Sequence, residues 1–329
     1  MIDFSEFNDK TAWIIVEPGL RGTENQCIAL AECLKIGNVK TKYVEMKKGW
    51  RWTAPYLNFC IEKAYKNVNE TFRPAYPHII IASGRKSVPA ARHIKKLSGN
   101  KSFLIQIQDP RISPQHFDLV IAPQHDPVDG DNVVKSLGAL HRISPDFLER
   151  NLSHHADDLK KLPGPRIAVL IGGSTTKSEF TSENAKLLAE NIANLQKSCD
   201  ASLMITTSRR TGNEQSRILK TILDGKNTHF WNGQGSNPYF DYLHMADAII
   251  VTNDSVSMAT EALATGKPVY IAHIGTQGPR IELFHSNLAE KNLTKPIPKS
   301  FQDWQRPESN DMIKICQSVT QHYKNYLKG

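Results

Sequence analysis

Polar and charged side chains gather at five places in this 329-residue chain, with glycines at four of them, each at or just after the end of a short apolar run. The first is Glu17-Pro18-Gly19-Leu20-Arg21-Gly22-Thr23-Glu24-Asn25-Gln26. Gly19 and Gly22 allow a backbone to approach a ligand closely. Glu17, Glu24 and Asn25 around a helix start suit an anion site or a general base. A plain turn, with Thr23 capping the helix and Gln26 completing a capping box, accounts for the same residues. The second place is Ser83-Gly84-Arg85-Lys86, a hydroxyl and two cations for an anionic group, or else a solvated loop. In the third, Gln106-Ile107-Gln108-Asp109-Pro110-Arg111, Asp109 and Arg111 either face a ligand or pair with each other at the surface.

The fourth place has two parts. Ile171-Gly172-Gly173-Ser174-Thr175-Thr176 is neither the G-x-G-x-x-G of dinucleotide enzymes nor a P-loop, but its N–H groups form a nest that can face a phosphate. Thr206-Thr207-Ser208-Arg209-Arg210-Thr211 adds a hydroxyl at Ser208 and two guanidiniums able to offset the charge of a diphosphate. The fifth is the most specific and runs from Val251 to Val269. A strand ends in Asp254, Ser255 and Ser257 begin a helix whose N-terminus can hold a phosphate, and Glu261 precedes Gly266-Lys267-Pro268. Read as structure alone, Asp254 or Ser255 is an N-cap and Glu261 an exposed helical acid. No paired-carboxylate metal motif such as Asp-x-Asp is expected in the chain, which argues against an obligatory divalent metal, and no metal ligand is expected.

Such clusters need strands to hold them, and the continuous Val/Ile/Leu runs are those of buried parallel strands. Strands are predicted at 13–16, 78–82, 103–107, 119–122, 167–171, 202–206, 248–251 and 268–271. Helical segments are predicted at 25–34, 88–97, 182–196, 215–223, 257–264 and 305–327. A polar helical stretch at 146–161 and the turn Pro163-Gly164-Pro165 place a boundary between two α/β halves. The expected organisation is residues 1–162, residues 163–304 and a C-terminal helical segment at 305–329.

Composition narrows the function class. About 40% of residues are apolar and 22% charged, which is ordinary globular usage and excludes disorder. The N-terminus has neither a basic nor an apolar targeting region, and no run approaches the ~20 apolar residues of a membrane span. The five cysteines are scattered without a C-x-x-C, so reduced thiols in a cytoplasmic protein are expected. The net charge of +8 is local: fifteen Lys and Arg against three acids give residues 35–101 a balance of +12, leaving −4 elsewhere. Within that segment Lys47-Lys48-Gly49-Trp50-Arg51-Trp52, then Tyr56, Leu57 and Phe59, mix cations with aromatics. That mixture suits either an anionic membrane surface or a solvated basic face with its tryptophans turned inward. No recognised motif points to nucleic acid.

Several clusters together carry a resemblance. They are Gly22 to Gln26, Ser83-Gly84-Arg85, Gln106 to Arg111, Phe117-Asp118-Leu119-Val120 with Pro123 to Asp126, and Gly172-Gly173. Thr207 to Thr211, Asn237-Pro238-Tyr239 and Thr252 to Gly266 complete the set. In order over about residues 13–275 they resemble the mitochondrial-fission elongated-mitochondria family, and the last resembles the donor signature of GT-B glycosyltransferases. The family takes its name from plant members acting in organelle division, and its bacterial members are GT-B-like. The resemblance implies two doubly wound Rossmann-like α/β domains facing across a cleft, with a C-terminal helix. It implies a glycosyltransferase moving a sugar from a nucleotide sugar, with no cofactor, to a cell-envelope or lipid-linked acceptor. The expected absence of a paired-carboxylate motif argues against an obligatory metal, and the basic, aromatic segment around Trp50 and Trp52 would hold the enzyme at the inner face of a membrane. A nucleotide-sugar epimerase or hydrolase, and a non-enzymatic membrane-associated adaptor, are the alternatives. Gly172, Gly173, Ser174, Ser208, Arg209, Arg210, Asp254, Ser255, Ser257 and Glu261 would bind the donor. Glu17, Gly19, Gly22, Asn25, Ser83, Gly84, Arg85 and Arg111 would lie on the acceptor side. A His commonly stands in the family pattern where this chain has Thr23, so Glu24 or Asp109 would serve as catalytic base.

Overall fold

The computed structural model describes residues 4–231, 233–300, 304–309 and 311–328. The chain divides into two compact units, Met1–Arg142 with Asn310–Gly329, and Ile143–Ser309. In the first, strands β1 (Thr11–Val16), β2 (Asn38–Tyr43), β3 (Ile79–Ser83), β4 (Phe103–Ile107), β5 (Leu119–Pro123) and β6 (Val133–Ser136) form one parallel sheet in the order β2-β1-β3-β4-β5-β6. Helices α1 (Arg21–Cys33), α2 (Ile61–Ala64), α3 (Val68–Thr71) and α4 (Ser87–Leu97) lie in the connections.

The second unit opens with α5 (Pro145–Arg150) and α6 (Ala156–Leu159). It continues through β7 (Arg166–Ile171), α7 (Ser182–Cys199), β8 (Ser202–Thr207), α8 (Asn213–Leu223), β9 (Thr228–Phe230) and α9 (Tyr239–Met245). Then come β10 (Ala248–Thr252), α10 (Val256–Ala264), β11 (Val269–Ala272), α11 (Pro279–Glu290) and β12 (Lys295–Pro296). This sheet is also parallel, in the order β12-β11-β10-β7-β8-β9. Each unit is thus a doubly wound, Rossmann-like sheet, and strand order reverses between β1 and β3 in one and between β7 and β10 in the other. Ligands of such sheets bind at the carboxyl ends of the strands flanking that reversal.

The central strands are buried at nearly every residue, which is why their sequences are continuous apolar runs. The edge strand β2, Asn-Val-Lys-Thr-Lys-Tyr, is largely exposed and carries no such run. β6, β9 and β12 are likewise absent from the sequence-predicted strands. They are short, and β9 and β12 have no fully buried residue.

The division differs from the boundary expected at 162. Buried Asp241 accepts hydrogen bonds from the Ser153 N–H and hydroxyl, each at 2.7 Å. Phe147 meets Phe240 edge-on at 5.2 Å, so residues 143–162 pack with the second unit. The C-terminal segment is also divided. Arg306 donates from Nε to the Lys267 carbonyl at 2.8 Å and stays with the second unit. Helix α12 (Asp311–Tyr326) returns to the first, where Ile315, Cys316, Val319 and Tyr323 share a core with Phe7, Leu30 and Phe103. Residues 310 and 329 of the expected terminal segment lie outside the described residues. Cys33 and Cys316 form a disulfide between α1 and α12 with Cα atoms 6.6 Å apart, which corrects the expectation that all the thiols are reduced. Their separation of 283 residues leaves no local spacing from which to read the pair.

Candidate functional site

In the second unit the donor-side residues converge on one buried carboxylate. Asp254 follows β10, and its side chain is fully buried. It accepts from the Gly173 N–H at 3.0 Å, from the Thr252 hydroxyl at 2.6 Å and from Arg210 Nη2 at 2.6 Å. Thr252 Oγ1 in turn accepts from the Gly172 N–H at 2.8 Å. Arg210 reaches back to the carbonyls of Gly173 and Ser174, both at 3.3 Å. The Ser174 N–H donates to the Arg210 carbonyl at 3.0 Å. Ser208 and Thr211 donate their hydroxyls to the Gly172 carbonyl, the former at 2.9 Å.

Close approach explains the two glycines. A Cβ on Gly172 would stand 2.1 Å from an Asp254 oxygen, and one on Gly173 would stand 2.1 Å from the Arg210 carbonyl oxygen. The arrangement also corrects the expected nest. The N–H groups of Gly172, Gly173 and Ser174 all have partners within the protein, so they do not converge on an open anion site. Asp254 is not an N-cap. Ser255 is, accepting from the Met258 N–H at 3.3 Å, while Ser257 sits half-buried in the first turn of α10. The donors at this switch point are therefore the start of α10, exposed Arg209 and the part of Arg210 that reaches solvent.

Glu261 is not an exposed acid. On α10 it accepts a hydrogen bond from the Tyr239 hydroxyl at 2.5 Å. Burial pushes its carboxyl above the ordinary range, with the Tyr239 hydrogen bond opposing. Burial first, then the neighbouring carboxylate, holds the Tyr239 hydroxyl protonated.

The first unit repeats the theme. Glu17, just after β1, accepts from the Lys86 N–H at 3.2 Å and pairs with the Lys86 ammonium at 2.5 Å, joining the two strand ends at that switch point. Gly84 takes a left-handed φ of +95° beside it, and the Ser83 hydroxyl is buried without a partner among the described residues. Arg85 is exposed. Gly19 turns the chain with φ +83°, but Gly22 and Asn25 lie inside α1, which starts four residues earlier than predicted. The capping box does not form. Leu20 is the N-cap, the Thr23 hydroxyl donates to the Leu20 carbonyl at 2.8 Å, and the Gln26 side chain accepts from the Leu140 N–H at 3.4 Å. Glu24, in the first turn, accepts from the Tyr43 hydroxyl at 2.7 Å.

Asp109 does not pair with the Arg111 guanidinium in the expected way. Its Oδ1 accepts the Arg111 backbone N–H at 2.8 Å, in a loop where Gln108 and Arg111 both have left-handed φ values. The chain does contain one Asp-x-Asp, Asp129-Gly130-Asp131, which corrects the expectation that no such pair is present. Asp129 is 85% exposed and pairs with Lys135 at 3.1 Å.

Comparison with known proteins places the chain. Residues 21–323 match the family described as Mitochondrial fission ELM1. The chain belongs to this family. It is 31% identical over 324 residues to Mitochondrial fission protein ELM1 of Arabidopsis thaliana, covering 89% of this chain and 75% of that protein. It is 27% identical to an uncharacterized protein of Rickettsia prowazekii, covering 93% of this chain and 97% of that one. Among solved structures, the UDP-GlcNAc 2-epimerase of Methanocaldococcus jannaschii aligns with a TM-score of 0.54 at 13% identity, over 94% of this chain and 99% of that one. A glycosyltransferase of Rickettsia africae aligns with a TM-score of 0.51 at 16% identity, over 96% and 89%. At these identities the likeness is one of fold, and it is the fold of GT-B proteins.

Of the residues of this candidate site, Thr252, Thr211 and Tyr239 lie within the sequence motifs but have no role that the sequence assigns, and Lys86 grips Glu17 rather than a ligand. Each acts through a partner on another element, which adjacency in the chain does not show.

Proposed function

We propose that this protein binds a nucleotide sugar in its second unit and transfers the sugar to a lipid-linked or cell-envelope acceptor held by the first. One observation carries the reading. At the β7/β10 switch point, Asp254 and Arg210 lock the Gly172–Gly173 turn beside the start of α10, and Glu261 waits on the same helix. A structural neighbour from Methanocaldococcus jannaschii, with a TM-score of 0.52, is a UDP-GlcNAc 2-epimerase in complex with UDP-GlcNAc and UDP, which supports a nucleotide sugar as the ligand class.

In this reading the N–H groups and hydroxyls of Ser255 and Ser257 hold the diphosphate at the helix N-terminus. Arg209 and Arg210 offset the charge that grows on it as the glycosidic bond breaks. Glu261 orients the ribose by accepting its hydroxyls. On the acceptor side, Glu24 takes the proton of the attacking hydroxyl, with Asp109 the second candidate, and Tyr43 supports the Glu24 carboxylate. Glu17 with Lys86, Ser83 and Arg85 shape the acceptor site. The sugar nucleotide is the substrate, and no cofactor is called for. The place of action is the inner face of a membrane.

The test is calorimetry and thermal shift with UDP, GDP, ADP, CMP and dTDP and their common sugars, since a ligand of the folded state alone raises its stability. A hit that weakens about tenfold or more in Glu261→Ala, the loss of a hydrogen-bonded charge, is the expected result. Absence of any hit from the folded protein moves the reading to a membrane-associated adaptor, which the family name favours.

A further inference from the structure

Residues 46–61 carry three cations, Lys47, Lys48 and Arg51, and no acid, although Arg51 pairs with the adjacent Glu45 at 3.8 Å and Glu62 follows. Met46, Ala54, Leu57 and Ile61 are buried in the first unit, and Trp50 packs against the same cluster. These anchors turn the residues between them outward: Trp52 is 79% exposed, Tyr56 69% and Phe59 65%, the three most exposed large apolar side chains among the described residues. The Trp52 ring is held there by its own N–H, which donates to the Gly49 carbonyl at 2.9 Å. The two readings of this stretch therefore divide by residue, with Trp50 turned inward and Trp52 outward.

The loop is fixed to the first unit's switch point. The Lys47 N–H donates to the Ala64 carbonyl at 2.8 Å, Met46 bridges Tyr65, and the Tyr65 hydroxyl donates to the carbonyl of Lys86, the residue that grips Glu17.

We propose that loop 47–59 docks the first unit on an anionic bilayer, with Trp52, Tyr56 and Phe59 in the headgroup region and Lys47 and Lys48 against lipid phosphates. Aromatics exposed singly among cations match the chemistry of a membrane interface. A protein-binding core would be depleted of lysine. The inference deepens the transferase reading, since it makes the acceptor membrane-borne, but its test does not depend on that reading.

The experiment is flotation of the full chain, without nucleotide, on phosphatidylcholine vesicles with and without phosphatidylglycerol. Binding is expected only with the anionic lipid, and should weaken as salt is raised. It should fall roughly fivefold for each of Lys47→Gln and Lys48→Gln. It should be lost in the triple variant Trp52→Ser, Tyr56→Ser, Phe59→Ser, whose melting temperature stays near that of the parent because all three side chains are exposed. No flotation with phosphatidylglycerol, or undiminished flotation of the folded triple variant, overturns the proposal. Calorimetry of the same variant with the nucleotide found above keeps the two readings separate: loss of vesicle binding with nucleotide affinity intact assigns the loop to docking alone.

Discussion

The Asp254 oxygens lie 2.1 and 2.2 Å from where the Cβ of any residue replacing Gly172 would stand. Gly172→Ala should lower stability by about 2 kcal/mol or more, the class of effect expected where a buried hydrogen-bonded group must move. Urea denaturation is the check. Arg210→Met would leave the Asp254 carboxylate with the Gly173 N–H and the Thr252 hydroxyl as its hydrogen-bond donors among the described residues. Because Arg210 is 43% exposed, solvent offsets part of that loss, and roughly 1–3 kcal/mol is expected. Asp254→Asn in the same background should recover part of it, and additive losses in that double-mutant cycle would rule out the coupling. Glu261 gives a pH prediction. Its carboxyl titrates above the ordinary value of 4.5, so the folded protein holds this proton more tightly than the unfolded chain does. Stability from that proton is present in acid and is lost as pH rises past about 4.5. Glu261→Gln carries no such loss, so it should melt above the parent at pH 7 and converge with it in acid. A constant gap across pH would show that the carboxyl is not the cause.

At the scale of elements, what was legible depended on burial. β3, β4 and β10 are buried on both faces, so hydrophobicity alone marks them. β2 is an edge strand paired with β1, exposed at Asn38, Val39, Lys40 and Tyr43 but with Lys42 buried over the Trp13 ring, so its apolar and charged residues do not sort into a run and the element reads as a loop. The site followed the same rule. Glycines and acids after each strand were visible as clusters, but the joining of Gly172, Arg210 and Asp254 depends on β8, β7 and β10 being neighbours, and strand order is not written in local pattern. Nor is the return of α12. That helix buries Ile315, Val319 and Tyr323 in the first unit, and its disulfide to α1 closes nearly the whole chain into a loop. Reduction, or Cys33→Ser, should therefore cost about 2–5 kcal/mol and accelerate hydrogen exchange along α12 before the central strands. Exchange in α12 that is indifferent to reductant would mean that packing alone retains it.

At the scale of the whole molecule, the same two Rossmann-like units serve an epimerase and a glycosyltransferase among the structural neighbours, and a protein named for mitochondrial fission among the sequence relatives. Fold does not choose between these activities, but the fate of the sugar does. An epimerase inverts a centre of the nucleotide sugar with no acceptor present, a hydrolase releases free sugar, and a transferase holds its donor until an acceptor hydroxyl is deprotonated. With the nucleotide sugar that binds best, the expected products without acceptor are unchanged donor and a trace of free sugar. Adding extracted membrane lipid should then release nucleoside diphosphate and place labelled sugar in the lipid phase. Glu24→Gln, which keeps the Tyr43 hydrogen bond but cannot take a proton, should bind donor normally and slow that transfer by about 10²-fold or more. An epimerised donor in the acceptor-free reaction would instead assign the site to isomerisation, and undiminished transfer by Glu24→Gln would shift the base to Asp109.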